Sequence, residues 1–200
     1  MPDFKNTETV KNLMRAFAGE SQARNRYTFA AGTAKKEGLP VIEAVFGFTA
    51  GQEKEHAEIF YNYLKELTGE TIFIDGGYPV DLYDNTVDLL KSARHNEYEE
   101  YNDVYKNFGE IAAKEGLSQI SKTFSNIAEI EKIHGDRFAL FAEYMEKNQL
   151  FISEVETSWM CLNCGYVSKG TQAPKVCPVC RHEQGYFIRL ELAPYTRMGL

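Results

Sequence analysis

Four stretches of the chain carry apolar residues at helical spacing, and each has a polar residue where the stripe calls for an apolar one. From about Thr7 to Glu37 the stripe runs Leu13, Phe17, Glu20, Tyr27; from about Pro40 to Leu67 it runs Ile42, Phe46, Glu53, His56, Phe60, Leu64. Gly38-Leu39-Pro40 separates the two as a helix breaker. Residues 70–84 are rich in Gly, Pro and Asp, too long for a tight helix–helix turn and suited to a crossover connection. Asn85-Thr86-Val87-Asp88 reads as the start of a third helix reaching Glu115, with Val87, Leu90, Glu97, Val104, Phe108 and Ile111 in phase. Arg94 falls on that stripe too, with no evident partner. Ser118 is expected to cap a fourth helix running to about Lys147, along Ile120, Phe124, Ile127, Glu131, His134, Phe138, Phe141 and Met145. From about Phe151 the pattern changes to short β-type runs, cysteines and turns.

Two helix pairs joined by one long connection predict a mainly α protein, a ferritin-like four-helix bundle, with a small β-type metal module at its C-terminal end. The expected division is a bundle over residues 1–148, a linker over about 149–157, and the small domain over 158–200. The two helix pairs repeat one another. A shift of 78 places Gly38-Leu39 on Gly116-Leu117, Ile42 on Ile120 and Phe46 on Phe124. The same shift brings Glu53 onto Glu131, His56 onto His134 and Phe60 onto Phe138. A shared breaker and a shared ExxH in register predict a pseudo-twofold bundle.

Each helix therefore places a glutamate on the face that should be core. Buried carboxylates are rare unless paired, and an isolated one costs several kcal/mol or protonates. Four converging with two histidines need compensating cations. One Glu from each of two helices plus Glu-x-x-His from each of the other two is the di-metal pattern of ferritin-like bundles. Residues at i and i+3 share a helix face, so Glu53 can bridge two metals while His56 approaches one. The symmetry fails once: Glu97 is followed at i+3 by Glu100, whereas the position three after Glu20 is Ala23. His95 points away from the stripe and receives no metal role.

Composition narrows the function classes. The 200 residues suffice for one ordinary domain and an appendage, and 44% hydrophobic with 26% charged is a globular composition. A net charge of −7 argues against nucleic acid and anionic membranes as partners. The N-terminal residues show no apolar signal region and no run reaches transmembrane length, so the expected compartment is the cytoplasm. There the four cysteines, Cys161, Cys164, Cys177 and Cys180, as two CxxC pairs, suit a metal better than disulfides. Four thiolates make a tetrahedral site for iron or zinc, and spacing alone does not choose between them. His182 is expected at the surface.

Cys161-Leu162-Asn163-Cys164-Gly165-Tyr166 followed by Cys177-Pro178-Val179-Cys180 resembles rubredoxin, and bundle and tail in this order resemble rubrerythrins over nearly the whole chain. Arg181 stands where many free-standing rubredoxins have glycine, so the second knuckle is expected to differ in local conformation. The added Glu100 makes the resemblance specific, because that family carries an extra glutamate beside six ligands. The resemblance implies Glu20, Glu53, Glu131 and Glu100 on one iron in the oxidised state, and Glu97, His134 and the bridging Glu53 and Glu131 on the other. It implies that on reduction the first iron exchanges Glu100 for His56. It places Tyr27 and Tyr105 beside the site, although the helical phase of Tyr105 is unclear. It makes the tail an iron site relaying electrons, and the whole a peroxidase reducing hydrogen peroxide to water in oxidative stress defence. An electron-donor protein, a reductase or rubredoxin, and an antiparallel homodimer are further implications. Iron oxidation and storage, an oxygen-reducing oxidase or hydroxylase, and a zinc ribbon docking a partner are the competing readings.

Overall fold

A computed structural model describes residues 4–195 of the chain; residues 1–3 and 196–200, the extremities of the two expected domains, lie outside the described residues. The bundle consists of α1 (Glu8–Lys36), α2 (Pro40–Asn62), α3 (Thr86–Glu99), α4 (Tyr105–Lys114) and α5 (Ser118–Glu146). A single π-helical segment, Glu100–Val104, joins α3 to α4, so these two and the segment together form the third long rod. Side-chain caps mark the starts of α1 and α3, whereas α5 has Leu117 at its N-cap with no side-chain cap and takes the expected cap Ser118 as its first helical residue. The Thr7 hydroxyl accepts from the Val10 N–H, and the Asn85 side chain accepts from the Asp88 N–H. The Glu115 carboxylate accepts from the N–H groups of Glu8 and Thr9, tying the start of α1 to the second hairpin.

Both hairpins close with the same turn. Gly38 and Gly116 take positive φ (73° and 79°), and the next N–H reaches back from Leu39 to the Ala34 carbonyl and from Leu117 to the Ala112 carbonyl. This is the six-to-one bond of a Schellman C-cap, which needs the left-handed conformation that glycine adopts without a Cβ penalty. The breaker seen in the sequence is thus one device used twice. α1 packs on α2, and α3 and α4 pack on α5. Two apolar clusters fill the bundle, one around Ile42, Phe46, Leu90, Phe138 and Phe141, the other around Leu13, Phe60, Tyr105, Phe124 and Ile127. On every rod the polar positions of the stripe fall between them.

The tail is a three-stranded antiparallel sheet in the order β2–β1–β3, formed by β1 (Ile152–Cys161), β2 (Val167–Gln172) and β3 (Phe187–Arg189). Its core is Trp159, Cys161, Ala173, Cys177 and Phe187. The segment expected as linker, 149–157, is mostly strand, because the β-branched Ile152, Val155 and Thr157 favour a pleated backbone that the glutamates between them disguise. The connection proper is only 147–151. Ile188 and Leu150 join the bundle cluster of Val41 and Phe141, so the tail caps the end of the bundle that carries the α1–α2 turn. A Cβ on Gly185 would lie 2.1 Å from the Gly38 carbonyl oxygen, so only glycine permits that backbone contact. The Arg189 guanidinium fastens the joint, donating to the carbonyls of Gln149 and Ile152 and lying over the rings of Tyr144 and Trp159. Among the described residues no helix is long and apolar enough to cross a membrane.

Candidate metal centres

Between the two apolar clusters the four rods bring Glu20, Glu53, His56, Glu97, Glu131 and His134 together, all buried to within 5% of full exclusion. They form two overlapping groups, Glu20, Glu53, His56, Glu131 and Glu53, Glu97, Glu131, His134, each with its ligand atoms within 4.8 Å of one another. Glu53 and Glu131 belong to both. Glu53 turns Oε2 toward His56 Nδ1 (3.1 Å) and Oε1 toward His134 Nδ1 (2.9 Å). Glu131 does the same with Oε1 to His56 and Oε2 to His134, both at 2.9 Å. Two carboxylates each presenting one oxygen to each of two points is the arrangement of a bridged metal pair. The histidine rings lie nearly parallel, 14° apart with centroids 5.6 Å apart.

These short distances are not hydrogen bonds. Both oxygens of Glu53 and Glu131, Glu20 Oε2, Glu97 Oε2, His56 Nδ1 and both His134 nitrogens lack a partner of acceptable geometry. Buried polar atoms are almost always paired, so this many orphans converging on two points fit two cations. The electrostatics agree. Burial, then the charge of neighbouring carboxylates, pushes the carboxyls of Glu20, Glu97 and Glu131 well above the usual range. Burial would raise Glu53 as well, but its contacts with His134 and His56 outweigh that and hold it at about 2. Metal-free, the cluster keeps its protons; divalent ions remove that need.

Tyrosines hold the outer two glutamates in a crossed pattern. The Tyr27 hydroxyl of α1 donates to Glu97 of α3, and the Tyr105 hydroxyl of α4 donates to Glu20 of α1 (2.5 Å). Both tyrosines are buried, and burial first, then the adjacent carboxylate, raises their hydroxyls well above the usual range. The unclear phase of Tyr105 is resolved by the π segment, whose extra residue turns the helix by about 100°. It carries Tyr105, Gly109 and Ala112 to the core in place of the expected stripe, leaving Val104, Phe108 and Ile111 half-buried. Arg94 is a second correction: it is exposed, because Leu90 and Ala93 fill the inward positions before Glu97. His95 is likewise exposed, 3.5 Å from Glu99.

Glu100 opens the π segment and stands in neither group of four. It lines a cavity of about 580 Å³ between α1, the π segment and the crossover connection, together with Arg26, Tyr78, Asn96 and Tyr105. Burial, reinforced by the Glu53 charge and opposed by Arg26, lifts the Glu100 carboxyl to about 8. Arg137 lies outside the α5 stripe, so helical periodicity does not mark it. Its guanidinium donates from α5 to Thr49 (2.8 Å) and Gln52 (3.0 Å) on α2, beside the field of Glu53, Glu97 and Glu131.

In the tail all four sulfurs lie within 4.8 Å of one another, with Cys161–Cys180 and Cys164–Cys177 at 3.7 Å. A tetrahedron with metal–sulfur bonds of about 2.3 Å has edges of about 3.8 Å, so the cradle has the right size. The two knuckles are copies. Gly165 and Arg181 donate N–H to the carbonyls of Cys161 and Cys177, and those cysteines donate N–H to Tyr166 and His182. Arg181 adopts φ 66°, close to the 77° of Gly165, so the expected difference in conformation does not occur. The His182 N–H draws the Cys180 thiol down to about 5. For Cys164 the Tyr166 N–H acts the same way, but burial and the other thiols push it up to about 12. His182 is half-buried against Tyr186, with ring centroids 4.5 Å apart.

A family model described as rubrerythrin matches residues 11–142, and one described as rubrerythrin, rubredoxin-like domain matches residues 159–188. The chain is 42% identical over 188 residues to the rubrerythrin of Clostridium perfringens, covering 94% of this chain and 96% of that one. It is 44% identical over 189 residues to rubrerythrin-1 of Clostridium acetobutylicum, covering 94% and 96%. Among solved structures, nigerythrin in its fully reduced, all-ferrous state aligns with a TM-score of 0.62 at 25% identity, covering 93% of this chain and 91% of that one.

Proposed function

The chain belongs to the rubrerythrin family, a di-iron bundle with a rubredoxin-like iron domain, and on that footing we propose that it reduces hydrogen peroxide to water. The observation that carries this reading is the crossed presentation of Glu53 and Glu131 to two metal points, in one chain with a four-cysteine cradle. We assign the first iron to Glu20, Glu53 and Glu131 with Glu100 or His56, and the second to Glu97, Glu53, Glu131 and His134. When bound, the two irons supply two electrons and the positive charge that stabilises the oxygens as the O–O bond breaks.

The chain's own residues do the rest. Tyr27 and Tyr105 lock the Glu97 and Glu20 carboxylates in orientation, so binding costs little reorganisation. The apolar clusters above and below the cluster keep water away along the bundle axis. The cavity beside Glu100 supplies the side entrance for peroxide and for the two protons that, with two electrons from the irons, turn each peroxide into two waters. His56 already stands in the first group with Glu100 outside it, the arrangement proposed for the reduced site.

Electrons enter through the four-cysteine iron, taken from a donor protein, a reductase or a rubredoxin. Cys164 is exposed, and the exposed Val176 and Val179 of the second knuckle offer apolar surface suited to such a donor. The tail packs against Gly38, Val41 and Phe141, whereas Glu53 lies twelve residues beyond Val41, about 18 Å along α2. That separation favours delivery to the cluster of a partner subunit in an antiparallel homodimer. We place this activity in the cytoplasm, in oxidative stress defence.

The test is anaerobic stopped-flow of the reduced, iron-loaded protein against peroxide and against oxygen, following the colour of the four-cysteine iron. Fast return with peroxide and slow return with oxygen is the expected result. Faster return with oxygen would move the assignment to an oxidase or ferroxidase.

A further inference from the structure

The cavity beside the bundle cluster contains a charge that the ligand scheme leaves unused. Arg26, on α1, has a side chain only 15% exposed, yet its Nε and Nη1 are buried without a hydrogen-bond partner. Its nearest anion, Asp81 of the crossover connection, stands 3.5 Å from Nε and is already satisfied elsewhere. Ser92 Oγ donates to Asp81 Oδ1 at 2.5 Å, and Asn96 Nδ2 donates to Oδ2 at 2.8 Å. Asp81 thus anchors one side of the guanidinium by charge while two of its donor atoms remain free. Guanidinium donors left unpaired out of water are costly, and a carboxylate is their geometric complement.

Glu100 is the carboxylate without a place. It lines the same cavity as Arg26 and stands outside both groups of four; its backbone is bonded within the helix, but its carboxylate makes no hydrogen bond among the described residues. Arg26 is also the cation whose charge acts on it. A carboxylate leaving a metal into so buried a space needs a counter-charge, since otherwise it would have to take up a proton. The rest of the wall offers neutral or acidic groups at that point, Asn96, Glu99, Asp103 and Tyr105 among them; the other arginine, Arg15, is spent on Glu8, Asn12 and Asp75.

We infer that Arg26 is a positioning residue for Glu100, receiving its carboxylate when that side chain stands off the metal pair and so leaving the first position to His56. This rests on the proposed reading of Glu100 as a ligand that comes and goes. Asp81, held by Ser92 and Asn96, keeps the guanidinium in place. The π segment puts Glu100 on the cavity wall, where a side-chain swing moves it between the two.

The test needs no peroxide, so its outcome is separate from whether the protein is a peroxidase. The reduced full-length protein is loaded with three ferrous ions per chain, two for the bundle and one for the tail, and ligand-field circular dichroism in the near infrared is compared for wild type, R26Q, R26K, E100A and the double variant R26Q/E100A. The expected pattern is an altered spectrum for R26Q, wild-type-like spectra for R26K and E100A, and a double variant matching E100A alone. Deleting the carboxylate should thus erase the effect of deleting its receiver. An R26Q spectrum identical to wild type would overturn the inference, and so would an R26Q change that persists in the double variant. Should R26Q not fold, D81N, which loosens the guanidinium, is expected to give a smaller change of the same kind, and no change would count against the inference.

Discussion

The two metal centres are each built from a duplicated unit, but they are held in opposite ways. The bundle cluster draws its ligands from four long rods, Glu20 to His134, and lies wholly inside the protein. The tail draws its ligands from two local loops within twenty residues, with backbone N–H groups doing the orienting and Cys164 open to solvent. The bundle site is therefore preformed by packing against two apolar clusters, at the cost of buried charge when no metal is present. The tail has a core of five residues and relies on its ion to close. One fold stores its metal in a rigid box; the other folds around it.

The largest test of that contrast is C177S. Losing a thiolate from the smaller domain is expected to remove its iron and unfold residues 152–192, since metal binding supplies on the order of 10 kcal/mol to such modules. The helical circular dichroism of the bundle should persist almost unchanged. Joint loss of helical signal would show that the tail's packing on Val41 and Phe141 matters more than the contrast allows.

E53A comes next. It removes a carboxylate that serves both positions and is expected to lower iron affinity by more than about 100-fold, beyond the 10–100-fold typical of losing an outer partner. The protein should still fold, and its four-cysteine colour should be unaffected. Iron titration followed by metal analysis reads both.

Smaller still is the pH dependence of the metal-free protein. Burial raises Glu20, Glu97 and Glu131 and lifts Glu100 to about 8, above the unfolded value near 4.3. The native state then keeps protons that the unfolded chain has released. Their stabilising effect is complete below about pH 4 and is lost as pH rises towards 8, by about 1.4 kcal/mol per pH unit for each retained proton. Glu53, held at about 2, works in reverse, its contribution present above the unfolded value and lost as pH falls towards 2. Thermal melting of the metal-free protein should thus give a lower Tm at pH 7.5 than at pH 5.5. Iron loading, which competes with those protons, should reverse the order.

The smallest effect belongs to Arg181. Its left-handed conformation costs a non-glycine residue roughly 1–2 kcal/mol, so R181G is expected to stabilise the tail by about 1 kcal/mol without changing its colour. A loss of stability would mean that the Arg181 side chain contributes more than its backbone strain.

Much of this was legible in the chain because buried charge disrupts a pattern that is otherwise regular. Glu20, Glu53, Glu97 and Glu131 each interrupt an apolar stripe, and the cysteines announce themselves by local spacing. The π segment was harder, although its trace is present: Glu20 and Tyr27 are seven residues apart, whereas Glu97 and Tyr105 are eight apart. That extra residue is the π insertion, which the expected inward place of Val104 leaves out; Arg94 precedes it and is exposed because Ala93, four residues before Glu97, takes the inward position. Strand β1 was missed at its start because Glu154 and Glu156 look like linker composition. The partnership of Arg26 with the Glu100 cavity depends on where the crossover lays Asp81, a placement that helical periodicity does not encode.

The central claim is that the two centres form one electron path, which a C164S variant tests most directly. Single-turnover and steady-state peroxide reduction are measured on the iron-loaded variant and on wild type, with the same electron donor. One peroxide per di-iron pair should be consumed at nearly the wild-type rate, and steady-state turnover should fall by more than tenfold. Undiminished steady-state turnover would contradict the account, because electrons would then reach the bundle without the tail.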